Sequence, residues 1–183
     1  MSGGSFPQRL VPATSNVWVV GFSYNSAYVQ RTLTGVTAIS GSDILAVGSY
    51  NGTSNTQTLS EQWNGTTWSV VASSNAAMDA RSLSAVAAVS ASEAWAVGNS
   101  GVANGYYQTL IEHWNGQKWS IVASSNPGSL GSLLSAVTVV SASNAWTVGQ
   151  YSSGQNASTL VEHWNGSAWS VVTSPNVVTS PSL

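Results

Sequence analysis

Three glutamates occupy one position of a repeated phrase, in a chain that contains only six acidic residues. Each stands two residues before one tryptophan and seven residues before another. An indole ring beside a carboxylate suits a sugar, because the ring covers the C–H face while the oxygens accept hydrogen bonds from hydroxyls. The pattern therefore predicts a repeated ligand-binding site. Its candidate residues are Glu61, Trp68, Glu112, Trp119, Glu162 and Trp169.

The same side chains also have a structural interpretation, which the sequence leaves open. A carboxylate buried between neighbouring elements must accept hydrogen bonds from backbone or hydroxyl groups. The glutamates and tryptophans would then hold the fold together without touching a ligand. The tryptophans that come earlier in each repeat, Trp18, Trp95 and Trp146, are expected in the core.

Other chemistry has little support in the residue pattern. His113 and His163 directly follow two of the glutamates, and adjacent strand residues face opposite sides, so such a pair cannot chelate one metal ion. There is no cysteine, no zinc-ligand spacing and no distinct pair of carboxylates for glycoside hydrolysis. We expect neither a metal, a cofactor nor a catalytic residue, and thus a protein that is not an enzyme.

Internal repeats with a period of about 50 residues must position these side chains. The first tryptophan of the phrase recurs at Trp63, Trp114 and Trp164. One unit reads as four short strands separated by loops rich in turn-forming residues. Its Asn115-Gly116 dipeptide predicts a type I′ hairpin turn between the third and fourth strands. The predicted strands are Leu83–Val89, Ala94–Gly98, Thr109–Trp114 and Lys118–Ala123.

The first two strands of each unit are apolar or small on both faces, as in "LSAVAAV" and "AWAVG". A sheet covered by neighbours on both faces has this composition, whereas a sheet with one wet face alternates. Four-stranded antiparallel sheets repeated at this period predict an all-β fold, a β-propeller. An antiparallel sandwich fits the strands but not the fixed period.

The repeat divides the chain unevenly. Residues 1–32 align with the first two strands only, and blades follow at 33–79, 80–130 and 131–183, the last with a C-terminal tail. About three and a half blades cannot close a ring, since propellers have roughly four to eight. We therefore expect self-association, with a homodimer favoured. The alternative is that the chain is part of a longer array.

Charge and hydropathy limit the partners. Charged residues make up 5% of the chain, the net charge is −2, and there are four basic residues. Phosphate binding needs a Lys/Arg surface, so a nucleic acid or an anionic membrane surface is not expected. The longest aliphatic or aromatic run is too short for a membrane-spanning helix. No signal peptide is recognisable, which leaves the localisation open.

The motif "AWAVG … EHWNGQKWSIV" resembles the kelch-like and galactose-oxidase-like repeat arrays of secreted or surface bacterial proteins. The turns "WNGTTW", "WNGQKW" and "WNGSAW" are similar to those of the fucose-binding propeller lectins, some of which assemble a ring from short chains. This resemblance implies a propeller, a secreted or cell-surface location and glycan binding.

Two departures separate the chain from those lectins. Their binding glutamate lies three residues before the first tryptophan, whereas Glu112 lies two before Trp114, and their sugar-binding arginine has no counterpart in "EAWAVG". Fucose specificity is therefore not implied. The expected function is non-enzymatic, lectin-like recognition of neutral glycans at repeated sites between blades. The alternative is a protein-interaction or structural, self-assembling propeller.

Overall fold

The computed structural model describes residues 30–52, 54–73, 80–101 and 105–176, and within these ranges the chain is all-β, without a helix. The predicted partial blade at 1–32 therefore lies almost wholly outside the described residues. The strands are β1 (Arg31–Ser40), β2 (Asp43–Asn51), β3 (Thr56–Trp63), β4 (Trp68–Val70), β5 (Arg81–Ser90), β6 (Glu93–Gly101), β7 (Tyr107–Trp114), β8 (Trp119–Val122), β9 (Ser132–Ser141), β10 (Asn144–Ser152), β11 (Ala157–Trp164) and β12 (Trp169–Val171).

The strands form three four-stranded antiparallel sheets, each a meander of consecutive strands. We call β1–β4 the first sheet, β5–β8 the second and β9–β12 the third. The second sheet lies between the other two and contacts both of them. Three stacked sheets of this kind are blades of a partial β-propeller, as the repeat predicts.

The core consists of two apolar layers between successive sheets. The layer between the first and second sheets contains Leu45, Val47, Leu83, Val86, Leu110, Trp114 and Trp119. The layer between the second and third sheets contains Trp95, Val97, Ile111, Leu134, Leu160 and Trp169. Neighbouring residues of β7, Leu110 and Ile111, enter different layers, because side chains of a strand alternate between faces. This two-sided burial explains the absence of polar alternation in the inner strands.

The inner strands are longer than the apolar pattern indicates. β6 continues through Asn99 and Ser100, and β7 begins at Tyr107, two residues before the predicted Thr109. Ser100 pairs with Gln108, and Gly101 with Tyr107. Backbone pairing of mostly polar residues forms this extension of the strands, so the hydrophobic periodicity of the sequence does not predict it.

The hairpin turn after β7 is not type I′, and that prediction was wrong. A type I′ turn needs a positive φ at both central residues. Gly116 has a φ of 90°, but no residue other than glycine has a positive φ in the described part of the chain. The Oδ1 atom of Asn115 accepts hydrogen bonds from the N–H groups of Gln117 (3.0 Å) and Lys118 (3.1 Å). The asparagine therefore acts through its side chain rather than through a left-handed backbone.

The ends of the repeated phrase are hydrogen-bonded to each other. Asn126 follows the β7–β8 hairpin, and its Oδ1 accepts from the backbone N–H of Thr109 at 2.7 Å. In the third sheet, Asn176 accepts from the N–H of Thr159 at 2.8 Å. These two hairpins are thus closed at their open ends by one asparagine and at their turns by another, so the phrase recurs as a whole.

A glycine in the second strand of every sheet is required by a close backbone approach. A Cβ atom on Gly98 would lie 2.0 Å from the carbonyl oxygen of Ser82, and Gly48 and Gly149 are equally crowded. The pairing of β5 with β6 shifts its register beside this glycine. No rotation of a side chain relieves this contact, because the clashing atoms belong to the backbone.

We expect Gly98→Ala to lower the free energy of unfolding by about 1–3 kcal/mol or more, since overpacking forces the backbone to move. Urea denaturation followed by tryptophan fluorescence measures this loss. Gly41→Ala is the matched control, because nothing lies within 4 Å of its Cβ position and the other repeats carry Ala91 and Ala142 there. Equal midpoints for the two variants would contradict the close approach.

Candidate functional site

The carboxylate of Glu112 is buried between the first and second sheets, with no solvent exposure. Its Oε2 atom accepts a hydrogen bond from the hydroxyl of Ser73 at 2.6 Å. Ser73 follows β4, and its Oγ atom also lies 2.8 Å from the hydroxyl of Thr58 on β3. Glu112 therefore ties its own sheet to the outer half of the preceding one. Its Oε1 atom has no hydrogen-bond partner within the described ranges.

Glu162 occupies the equivalent position between the second and third sheets, with a backbone donor in place of the serine hydroxyl. Its side chain is also fully buried, and its Oε2 atom accepts a hydrogen bond from the backbone N–H of Ser125 at 3.4 Å. Ser125 follows β8, as Ser73 follows β4. For both glutamates, these bonds are the ones that the structural interpretation of the sequence predicts.

Glu61, the third member of the set, is only half-buried. It lies on β3, in the first sheet, and no sheet precedes that one among the described residues. Trp68 of the same sheet is 45% exposed. The environment at this repeat position therefore depends on whether another sheet covers it.

Burial is the main influence on the two enclosed carboxyls. It raises the pKa of Glu112, against the hydrogen bond from Ser73 and the charge of Arg81, which lower it. It raises the pKa of Glu162 from the ordinary 4.5 to about 7, with the backbone hydrogen bond from Ser125 as the opposing influence. The residue equivalent to Arg81 in the third repeat is Ser132, so no cation stands at that position beside Glu162.

The raised pKa of Glu162 predicts a stability that falls as the pH rises. Below pH 4.5 the carboxyl is protonated in both states, and its contribution to stability is fully present. Between pH 4.5 and about 7 the unfolded chain ionises first, so this contribution is lost. We expect a loss of the order of 2 kcal/mol in the free energy of unfolding between about pH 5 and about pH 8.

Urea denaturation at several pH values measures this loss. Glu162→Gln should reduce the dependence on pH, because an amide does not titrate in this range, while Glu112, whose pKa burial also raises, still contributes. Parallel curves for the wild type and Glu162→Gln would show that this carboxyl does not titrate as described.

A ligand-binding role for the tryptophans that open the fourth strands requires exposed rings. That holds for Trp68, but Trp119 is 1% exposed and Trp169 is 6% exposed. Each packs against the tryptophan that ends the third strand, with ring centroids 5.5 Å apart for Trp114 and Trp119. A surface ligand has no access in this structure to these two rings or to Glu112 and Glu162. Burial follows from the neighbouring sheet, which a pattern within one repeat does not contain.

The two buried tryptophans differ in one hydrogen bond. The Nε1–H of Trp119 donates to the hydroxyl of Ser60 at 2.8 Å across the interface. In the next interface the residue at the position of Ser60 is Ile111, which packs in the same layer as Trp169. The Nε1–H of Trp169 has no partner in the part of the chain that the structure describes.

Tryptophan-to-phenylalanine substitutions should therefore have unequal effects. Trp119→Phe loses the bond to Ser60 and leaves the smaller ring in a tight layer, whereas Trp169→Phe removes a buried N–H that is unpaired. Since an unsatisfied buried group costs about 1–3 kcal/mol, we expect Trp169→Phe to be the milder change by about 1 kcal/mol or more. Thermal and urea denaturation of both variants measure the difference. A larger loss for Trp169→Phe would contradict this account.

The histidines form part of a second polar cluster on the opposite face. Nε2 of His113 lies 3.0 Å from Oε1 of Glu93, which also accepts from the indole N–H of Trp95 at 3.0 Å. In the third sheet, Asn144 bonds in the same way to His163 and Trp146. These contacts fix the second strand to the third.

The expected core tryptophans are distributed unevenly. Trp95 is buried, Trp146 is half-buried, and Trp18 lies outside the described residues. No group of three or more histidine, cysteine or acidic side chains that could hold a metal ion occurs in the described ranges.

Two shallow clefts lie between the sheets, at equivalent positions of the repeat. The first, between the first and second sheets, has a volume of about 120 Å³ and is lined by Thr56, Arg81, Asn99 and Tyr107 among others. The second has a volume of about 180 Å³, and its lining residues are Tyr107, Leu130, Gly131, Ser132, Leu133, Gln150, Tyr151 and Ser152. Tyr107 contributes to both and is 54% exposed.

The residues that line these clefts are not among the site residues that the sequence predicts. The signal was the aromatic pair "YY" at residues 106–107, where β7 begins. The equivalent of Tyr107 is Thr56 in the first repeat, so the aromatic residue does not recur and a search for repeated residues passes over it.

The described residues thus define a partial β-propeller in which the predicted site residues lie mainly within the interfaces between blades. None of these residues forms a helix long and apolar enough to cross a membrane. No protein-family model matches the chain, and no curated protein matches its sequence.

Solved structures that are similar to this one include a fucose lectin from Kordia zhangzhouensis in complex with methyl-fucoside. The identity is 15%, the TM-score is 0.49, and the match covers 78% of this chain and 99% of the lectin. Another is YCF48 bound to D1 peptide, with 14% identity, a TM-score of 0.42 and coverage of 82% of this chain. This chain spans 59% of the length of the YCF48 chain.

Proposed function

We propose that this protein is a non-enzymatic binding module that recognises neutral glycans in the clefts between its blades. The observation that carries the proposal is the recurrence of a cleft at the same repeat position in both interfaces. A recurring shallow site suits a ligand that is itself repetitive, because weak individual contacts add through multivalency.

The lining of the clefts has the chemistry that neutral sugars require. Tyr107 presents an exposed ring to both clefts, and a sugar stacks its C–H face on such a ring. Asn99 lines one cleft and Gln150 lines the equivalent position of the other, so each offers an amide to donate to and accept from hydroxyls. No carboxylate lines either cleft, and Arg81 is the charged residue among those that line them.

The buried glutamates support a binding role over a hydrolytic one. Glu112 and Glu162 lie in different interfaces, each bonded to the segment that follows the fourth strand of the preceding sheet. Glycoside hydrolysis needs two carboxyl groups that flank one bond and reach the substrate. Two enclosed carboxyls on successive sheets do not provide that arrangement.

Binding of the labelled protein to a broad array of neutral glycans tests the proposal. We expect a specific signal that Tyr107→Ala weakens at least tenfold, a loss of about 1.4 kcal/mol. Tyr106→Ala is the matched control, because Tyr106 is also exposed but does not line the clefts. Circular dichroism and melting temperatures establish that both variants are folded.

Two results would contradict this assignment. A folded wild-type protein that binds no glycan overturns the function. A signal that survives Tyr107→Ala but is lost in Trp68→Ala moves the ligand to the site that the sequence predicts, of which Glu61 and Trp68 are the accessible members. Equal losses in both tyrosine variants would point to a general effect on the loop.

The second candidate function is a self-assembling propeller whose partner is a protein, in the first instance another copy of itself. The observation that favours it is the exposure of large apolar residues on the two outermost sheet faces. Val36 on the first sheet is 67% exposed and Val148 on the third is 45% exposed. Large apolar residues left exposed at both ends of a stack of sheets favour an interaction there.

A further inference from the structure

The outward face of the first sheet exposes residues whose repeat equivalents are buried. Val36 is 67% exposed, whereas its equivalent in the second sheet, Val86, is 8% exposed in the layer against the first sheet. Trp68 is 45% exposed, whereas its equivalent Trp119 is 1% exposed in the same layer. We call the surface that contains Leu33, Val36, Trp63 and Trp68 the leading face.

The outward face of the third sheet shows the complementary pattern. Val148 is 45% exposed, whereas Val47 and Val97, its equivalents in the first two sheets, are fully buried against the sheet that follows each of them. Trp146 is half-buried here, although its equivalent Trp95 is buried. We call the surface that contains Trp146, Val148 and Val161 the trailing face.

The two faces are therefore the two halves of an interface that the chain already forms twice. In each internal interface a leading-type face packs on a trailing-type face, and one face of each kind is left over among the three described sheets. We infer that the leading face of one copy docks on the trailing face of a second copy, head to tail, as the third sheet docks on the second. The inference does not depend on glycan binding.

The sequence favours a second copy over the chain's own N-terminal residues as the occupant of the leading face. In the first internal interface, Trp119 bonds to Ser60 on the third strand of the preceding sheet, and Glu112 bonds to Ser73 after its fourth strand. The phrase that provides both segments begins at Thr58 and is absent from residues 1–29. The sequence of residues 1–29 therefore lacks the two segments that contact Trp119 and Glu112 in the first internal interface.

The third sheet of a second copy does provide it. Val161 stands at the position of Ser60, and Ser174 stands at the position of Ser73. The Oγ atom of Ser174 lies 2.7 Å from the hydroxyl of Thr159, as that of Ser73 lies 2.8 Å from Thr58. Ser174 is thus held beside its threonine as Ser73 and Ser124 are, and the segment that contains it is the one that bonds to the glutamate in both internal interfaces. In the second copy the equivalent glutamate is Glu61.

A head-to-tail contact has a testable property, because each copy uses one face of each kind. It is a heterologous interface, which closes into a ring if the rotation permits and otherwise extends. A variant that has lost one face cannot associate with itself. Two variants that have lost different faces can form one contact with each other and no more.

Val36→Arg disables the leading face and Val148→Arg disables the trailing face, and both residues are exposed, so both variants should fold. By light scattering after size exclusion we expect the wild type above the chain mass of 18.9 kDa, at about 38 kDa or a higher multiple. Each variant alone should be monomeric, and an equimolar mixture should give a complex of twice the chain mass. Ile121→Arg is the control, since Ile121 is 42% exposed on the middle sheet and should not affect assembly.

Three results would overturn the inference. The first is a monomeric wild type; if Val36→Arg then lowers its melting temperature, the leading face belongs to the chain's own residues 1–29. The second is a variant that still associates alone while the other does not, which indicates a contact between two like faces. The third is a mixture of the two variants that stays monomeric.

Discussion

A sheet that is apolar on both faces is stable only between two other sheets, and the rest of this structure depends on that constraint. The second sheet meets it: its residues alternate between two core layers, with Leu110 in one and Ile111 in the other. The first and third sheets are each covered by another described sheet on one face. Burial of an apolar side chain contributes roughly 1.5–3 kcal/mol, so the exposure of Val36, Trp68 and Val148 has a substantial cost.

The polar residues of the interfaces follow from the same constraint. A buried carboxylate needs donors, and the donors of Glu112 and Glu162 come from the segment after the fourth strand of the preceding sheet. That segment is held in place by the threonine that lies beside it near the open end of the hairpin. The repeated phrase is therefore a unit of packing: one part receives the following sheet and another part reaches into the preceding one.

The fold was predictable from the sequence because the period and the strand pattern are local. The number of strands in each unit, their antiparallel order and the all-β class follow from the turn residues and from apolar composition on both faces. The positions of Trp119 and Trp169 were not predictable in the same way, because their burial comes from residues about 60 positions earlier, such as Ser60. The turn type at Gly116 was misjudged because the Asn115 side chain, not its backbone, makes the turn.

The candidate site was less predictable than the fold. Glu112 and Trp119 are candidates because their residue types recur in every repeat. Residues recur for packing as well as for binding, so recurrence alone does not identify a binding site. The clefts are formed by residues that differ between the units: Thr56 and Tyr107, Arg81 and Ser132. Such variation gives little signal in one sequence, because a search for repeated residues passes over positions that differ between the units.

The meander connectivity of the sheets has a consequence for how such a chain can change in length. Each of the three described sheets is made of consecutive strands, and no strand is exchanged among these sheets. Whole repeats can therefore be added or removed without breaking a ladder of backbone hydrogen bonds, in contrast to a fold whose strands interleave. The chain can therefore change in length by whole blades, and a duplication of about 50 codons produces a complete new structural unit.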